Sequence, residues 1–187
     1  NKSKENPLKM VTANRIKRTE GVFFKLMYQS HKVLAYIFTG KLIKFGNYVW
    51  LPKIFASKLA KEACIWSSFS GSVAKIISDS DRTFISSIKG QRYFGPSKMS
   101  FFDLLVHSFS IIAVFRHATI VRSILFLIFY LFFVFSDLSI ITLLPVLIIL
   151  IFLYFILKIS SRENIEELNN SLDNISGIDT LLDSNNR

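Results

Sequence analysis

Cysteine is nearly absent: Cys64 stands alone among 187 residues, which excludes an intrachain disulfide and a cysteine-based metal cluster and fits a reducing, cytosolic face. Glycine and proline are sparse at 7 and 4 residues, and no internal repeat or low-complexity tract occurs. Carboxylates are scarce too, since residues 1–122 carry only Glu5, Glu20, Glu62, Asp79, Asp81 and Asp103. Paired carboxylates, a His-Glu-x-x-His motif, a nucleophile elbow and a phosphate-binding glycine loop are all missing, so no complete active site is legible. Asp79 and Asp81 form an isolated D-x-D string between a helical and a strand pattern. The opening NKSKENPLKM has neither an apolar signal core nor an initiating Met, and it reads like the middle of a domain.

Apolar residues make up 51% of the chain, too many for an ordinary soluble domain, and the length allows one domain plus a membrane anchor. Charge is lopsided. Residues 1–122 hold 20 Lys and Arg against 6 Asp and Glu, a net of +14, whereas residues 123–187 hold 3 against 7, a net of −4. The basic part should therefore face an anion, either phospholipid headgroups, a phosphorylated substrate or nucleic acid. Nucleic acid is the least favoured, because the basic residues are dispersed among Phe, Leu and Ile with no recognised binding motif.

Periodicity divides the chain as follows. Leu8 to Ala13 reads as a short strand, followed by a basic loop, Asn14-Arg15-Ile16-Lys17-Arg18. Helical spacing of Phe23, Phe24, Met27, Leu34, Ile37 and Phe38 predicts a helix over 20–39 that ends before Gly40. Lys41 to Leu51 suggests a bent strand or close-approach loop, broken by Gly46 and Asn47. Residues 53–79 read as one or two helices, interrupted around Ser67 to Gly71, and Thr83 to Ile88 as a strand.

The segment RYFGPSKMSFFDLLVHSFSIIAVF, Arg92 to Phe115, organises the rest. Ser100 with Asp103 makes the S-x-x-D pattern of a capping box, so a helix should start near Phe101. Asp103, His107 and Ser110 recur at i, i+4 and i+7 on an otherwise apolar helix, which predicts an amphipathic helix in the membrane interface; a buried core helix is the alternative. Arg92, Ser97 and Lys98 beside its N-terminus predict a phosphate seat there. The histidines, His31, His107 and His117, have no ligand spacing to one another, and only His107 lies on the polar stripe.

Two apolar runs follow, 118–135 and 140–157, joined by Ser136 to Ser139, which predicts a transmembrane helical hairpin with Arg122 snorkelling to the headgroups. Arg116, Arg122, Lys158 and Arg162 flank one end and only Asp137 the other, which places both termini in the cytosol. Ile165, Leu168, Leu172 and Ile175 allow a short amphipathic helix in the polar tail.

Three segments in order, NRIKRTEG at Asn14 to Gly21, FGNYVWLPK at Phe45 to Lys53 and RYFGPSKMSF at Arg92 to Phe101, resemble the C-terminal half of family-2 glycosyltransferases, with the membrane-bound polyprenyl-phosphate type nearest. The resemblance spans about residues 8–135. It implies transfer of a sugar from a nucleotide-sugar or related activated donor to a lipid-linked or cell-envelope acceptor at the cytosolic membrane face. By position, Arg92, Ser97 and Lys98 match the family's basic segment near the donor or acceptor phosphate, Arg15 and Arg18 its arginine pair, and Asn47 a place where many relatives have Asp.

The resemblance further implies a divalent metal, Mg or Mn, whose ligands lie upstream of this chain. Catalytic residues are not assigned. The expected fold is mainly α with a few short strands. Residues 1–99 would be the end of an α/β nucleotide-sugar domain, 100–117 an interfacial helix, 118–158 the hairpin and 159–187 a cytosolic tail. The rival expectation is a non-enzymatic membrane module that binds anionic lipid and a protein partner.

Overall fold

The computed structural model describes residues 2–17, 22–43, 45, 48–88 and 100–174. It is mainly helical, with three strands in one small sheet. A short helix α1 (Lys2–Glu5) precedes strand β1 (Met10–Lys17), followed by helix α2 (Val22–Thr39), strand β2 (Val49–Trp50), helix α3 (Lys53–Leu59), a 3-10 turn (Ala63–Trp66), helix α4 (Phe69–Ile76) and strand β3 (Arg82–Ile88). Then come α5 (Phe101–Ala113), α6 (Arg116–Val134), α7 (Ile140–Ser160) and the short α8 (Ile165–Asn169).

The sheet order is β2-β1-β3. β2 is antiparallel to β1, with Val11 opposite Trp50 and Thr12 opposite Val49. β3 is parallel to β1, with Met10 opposite Arg82 and Arg15 opposite Ser87, and the register shifts between Arg15 and Lys17. The residues expected to form a basic loop after the first strand are thus strand as far as Lys17, because pairing with β3 carries the ladder through them. In the segment 41–51, expected to be a bent strand or a close-approach loop, Val49–Trp50 is the strand among the described residues. The helical break in 53–79 falls earlier than the sequence pattern placed it, between Leu59 and Phe69, where a 3-10 turn carries Ala63 and Cys64 into the interior.

Two apolar clusters hold the chain together. Under the sheet, Met10 packs with Phe55, Leu59, Val73 and Ile77 from β1, α3 and the α4 end. In the helical layer, Ala35 of α2 meets Ile112 and Ala113 of α5 and Ile156 and Ile159 of α7. Phe152 joins them, 4.5 Å between ring centroids from Phe38 and 5.3 Å from Phe109. The C-terminal half of α5 is therefore core, with Ile111 to Val114 all buried, whereas Phe102 and Val106 nearer its start are exposed. Two hydroxyls of α5 are satisfied within the helix: Ser108 Oγ donates to Leu104 O at 2.7 Å and Ser110 Oγ to Val106 O at 2.8 Å. Gly71 lets α4 approach α5, since a Cβ there would lie 3.1 Å from Val114 Cγ2.

α6 and α7 contain 19 and 21 residues, about 28 and 31 Å at 1.5 Å per residue, long enough to cross a hydrocarbon core. Only 11% and 6% of their most apolar stretches are buried in the protein, whereas a core helix of a soluble protein is mostly buried. Leu125, Phe129, Phe132, Ile141, Ile148 and Tyr154 all face outward. At the link, Ser139 caps α7 by a reciprocal box: Thr142 N donates to Ser139 Oγ at 3.3 Å and Ser139 N to Thr142 Oγ1 at 2.8 Å. Tyr130 Oη donates to Thr142 O at 2.8 Å, which fastens the two long helices near the turn. At the opposite end Arg116 Nη1 donates to Ser160 Oγ at 3.1 Å.

Candidate phosphate-binding site at the strand ends

β1 and β3 run side by side in the same direction, so the segments that leave them emerge at one end of the sheet. Arg15 lies in the last turns of β1 opposite Ser87, and Lys17 lies opposite Ile88. β2 runs the other way, so the chain enters it from that same end, as the bond from Ala13 N to Tyr48 O at 3.0 Å records. In α/β sheets ligands bind outside the carboxyl ends of the strands, where backbone and loop groups converge. Of the residues singled out from the sequence, Arg15 is in β1, while Arg18, Asn47, Arg92, Ser97 and Lys98 lie outside the described residues. Arg18 follows β1 directly and Asn47 is one residue from Tyr48. The segment containing Arg92, Ser97 and Lys98 joins the end of β3 to α5.

The helix that receives this segment is held firmly at its start. Asp103 N donates to Ser100 Oγ at 3.2 Å, and Ser100 N and Oγ both donate to Asp103 Oδ2, at 2.9 and 2.8 Å. Those bonds, the backbone one first, hold the Asp103 carboxyl below the usual carboxylate range. The capping carboxylate is therefore committed to the helix and is not a free base for chemistry.

Packing of α2 on α5 brings His31 and His107 together, with ring centroids 6.4 Å apart. Nothing in their sequence spacing signals the pair, because 76 residues separate them. Burial, then the charges of His107 and Lys32, push His31 down to about 4, and its Nδ1 is buried without a partner among the described residues. His107 is the more exposed of the two, and the burial it does have lowers it in the same direction. Burial thus favours the neutral form of both rings, which suits packing better than phosphate binding.

Among the described residues the remaining candidates, Cys64 and Asp79, do not come together. Burial above all raises the Cys64 thiol, which makes it a poor nucleophile. Asp79 sits in a 3-10 turn, is paired with Arg82, and is thereby withdrawn from the D-x-D string. Among the described residues no three His, Cys, Asp or Glu gather to hold a metal ion. The described residues thus offer no ligand set for the Mg or Mn that the resemblance implies, whose ligands it places upstream. An open cavity of about 480 Å³ lined by Trp66, Asn164, Glu166, Glu167, Asn170 and Ser171 lies on the tail, and its charge is acidic, the wrong sign for phosphate.

Comparison of the chain with models of protein families, with curated proteins and with solved structures finds no match.

Proposed function

We propose that this chain is the membrane-anchored, phosphate-handling part of a glycosyltransferase of the family-2 type. It acts on a nucleotide-sugar, or a related activated donor, and a lipid-linked or cell-envelope acceptor at the cytosolic membrane face. The observation that carries this reading is the parallel register of β1 and β3. In that register β1 and β3 end side by side, so the chain following Arg15 and the chain leading to Arg92, Ser97 and Lys98 depart from one end of the sheet.

A diphosphate leaving group, or a polyprenyl phosphate acceptor, needs directed donors, and a guanidinium fork supplies two parallel bonds where an ammonium supplies a point charge. Arg15, Arg18 and Arg92 would grip phosphate oxygens, with Lys98 adding charge and Ser97 a hydroxyl donor. The stem of α5 is fixed by its capping box and by Ile112 in the core, and would anchor that basic segment at the membrane surface. Asn47 would contribute a neutral amide and no proton transfer. The base that activates an acceptor hydroxyl and the donor's metal ligands would come from a part of the enzyme outside these 187 residues.

The decisive measurement uses the full-length protein in membranes, supplied with nucleotide-sugars and polyprenyl phosphate. Arg92→Lys should lower turnover on the order of tenfold or more, the loss expected when one bidentate contact worth about 1.4 kcal/mol disappears. Its membrane association should be unchanged. Equal turnover in Arg92→Lys, or no transfer with any donor while anionic vesicles still bind, would favour the lipid-binding module instead.

A further inference from the structure

We propose that the last two turns of α2, residues 33–39, are inserted into the cytosolic leaflet, where their outer face meets lipid acyl chains beside α6 and α7. The inference rests on α6 and α7 spanning the bilayer and does not need the catalytic reading.

Contacts with the long helices fix how deep α2 reaches. The bond from Arg116 Nη1 to Ser160 Oγ sets the start of α6 beside the end of α7. Arg122 stands six residues along α6 from that level, about 9 Å at 1.5 Å per residue, and Phe152 eight residues back along α7, about 12 Å. α2 descends toward both. Ala35 packs with Ile156 and Ile159, and one turn later Phe38 meets Phe152 while the Tyr36 and Ile37 carbonyls accept from Arg122. The apolar run of α7 extends past this depth to Leu157, so the end of α2 lies inside the rim of the hydrocarbon that α7 crosses.

The outer face of α2 changes character in the same direction. On the earlier turns it is mixed, with Leu26, Gln29 and Ser30 exposed. Beyond them Val33, Tyr36 and Ile37, at i, i+3 and i+4, are 58%, 55% and 54% exposed. Val121 and Leu125, which flank Arg122 on α6, are exposed as well, so the patch on α2 continues the bilayer-facing surface at equal depth. The end of the helix is also sealed without water, as hydrocarbon requires of terminal carbonyls. Thr39 Oγ1 donates to Ala35 O at 2.6 Å, Gly40 N to Tyr36 O at 2.8 Å and Arg122 Nη1 to Ile37 O at 2.8 Å. Thr39 is buried, and its Oγ1 accepts from Lys41 N at 3.1 Å as the chain turns away. Arg122 thus caps a helix end at a depth from which a lone arginine would snorkel to the headgroups.

The test uses the full chain with Cys64→Ala, reconstituted in liposomes and carrying one nitroxide-labelled cysteine: Gln29→Cys, Val33→Cys, Ile37→Cys or Leu125→Cys. All four side chains are exposed, so the label displaces no packed neighbour. Depth is read from collisions with oxygen, which concentrates in hydrocarbon, against collisions with a water-soluble nickel chelate. The oxygen-to-nickel ratio should rise severalfold from Gln29 through Val33 to Ile37, where it should approach that at Leu125. Nickel contact at Ile37 equal to that at Gln29, with Leu125 still shielded, would overturn the proposal and leave the spanning hairpin standing. So would a label at Ile37 shielded from both reagents, the mark of a protein partner on this face. Nickel contact at Leu125 would remove the anchor itself, and the inference with it.

Discussion

Arg122 is the residue whose role changes most once the chain is folded. Its position on an apolar helix predicts a side chain reaching for headgroups, yet its Nη1 donates to Ile37 O at 2.8 Å and to Tyr36 O at 3.5 Å. Those carbonyls belong to the last turn of α2, where Gly40, at φ +70°, turns the chain out and donates its own N–H to Tyr36 O. A cation there also meets the negative end of the helix dipole. Arg122→Met keeps most of the stem and removes the donors, and should cost about 1–2 kcal/mol in detergent unfolding while raising amide exchange at Thr39 and Gly40. Gly40→Ala should be no milder, because a Cβ would both strain a positive φ and collide with the Arg122 guanidinium.

His31 makes a second prediction at this scale. Its folded value of about 4 lies below the unfolded 6.5, so the unfolded chain binds the extra proton between these values and stability falls as pH drops through that window. The groups around it are His107 from α5 and Lys32 and Tyr28 on α2 itself. The full effect is at most about 3 kcal/mol at roughly 1.4 kcal/mol per unit. Urea midpoints measured from pH 7.5 to 4.5 should fall, and His31→Gln should flatten the slope; an unchanged slope would show that the imidazole is not what titrates.

Among the elements, α5 joins the sheet subdomain to the long helices, so its start has consequences at both ends. Ser100→Ala removes the acceptor for Asp103 N and should cost about 1 kcal/mol, read as faster exchange in the first turn of α5. Because Asp103 titrates below the ordinary 3.8, its contribution is present above that pH and is lost as pH falls through the lower folded value. In Ser100→Ala that acid sensitivity should shrink, since the bond from Ser100 Oγ to Asp103 disappears while the backbone bond survives. This element was the most legible in the sequence: a cap, a carboxylate three residues on and an apolar run are all local signals. Its membrane or core status was not, because Ile112 and Ala113 are buried by α2 and α7, which lie far off in sequence.

At the scale of the whole molecule the orientation in the membrane can be tested directly. With Cys64 replaced by Ala, a cysteine at Leu138 should react with an impermeant thiol reagent from outside and one at Glu166 only from the cytosolic side, following the basic flanks. The opposite pattern would invert the anchor and move the proposed phosphate site away from cytosolic donors. The sequence by itself determined the two long apolar helices and the start of α5 at Ser100, because apolar run length and capping chemistry act within a turn or two of the chain; the link, 136–139 by the sequence pattern, is 135–139 in the fold. Only the tertiary structure decided that β1 continues through Arg15 to Lys17, that Arg122 closes a helix 85 residues away, and that His31 meets His107. Each of these depends on a pairing between distant segments, and the free energy that selects it comes from shared burial and complementary backbone edges, which no local pattern encodes.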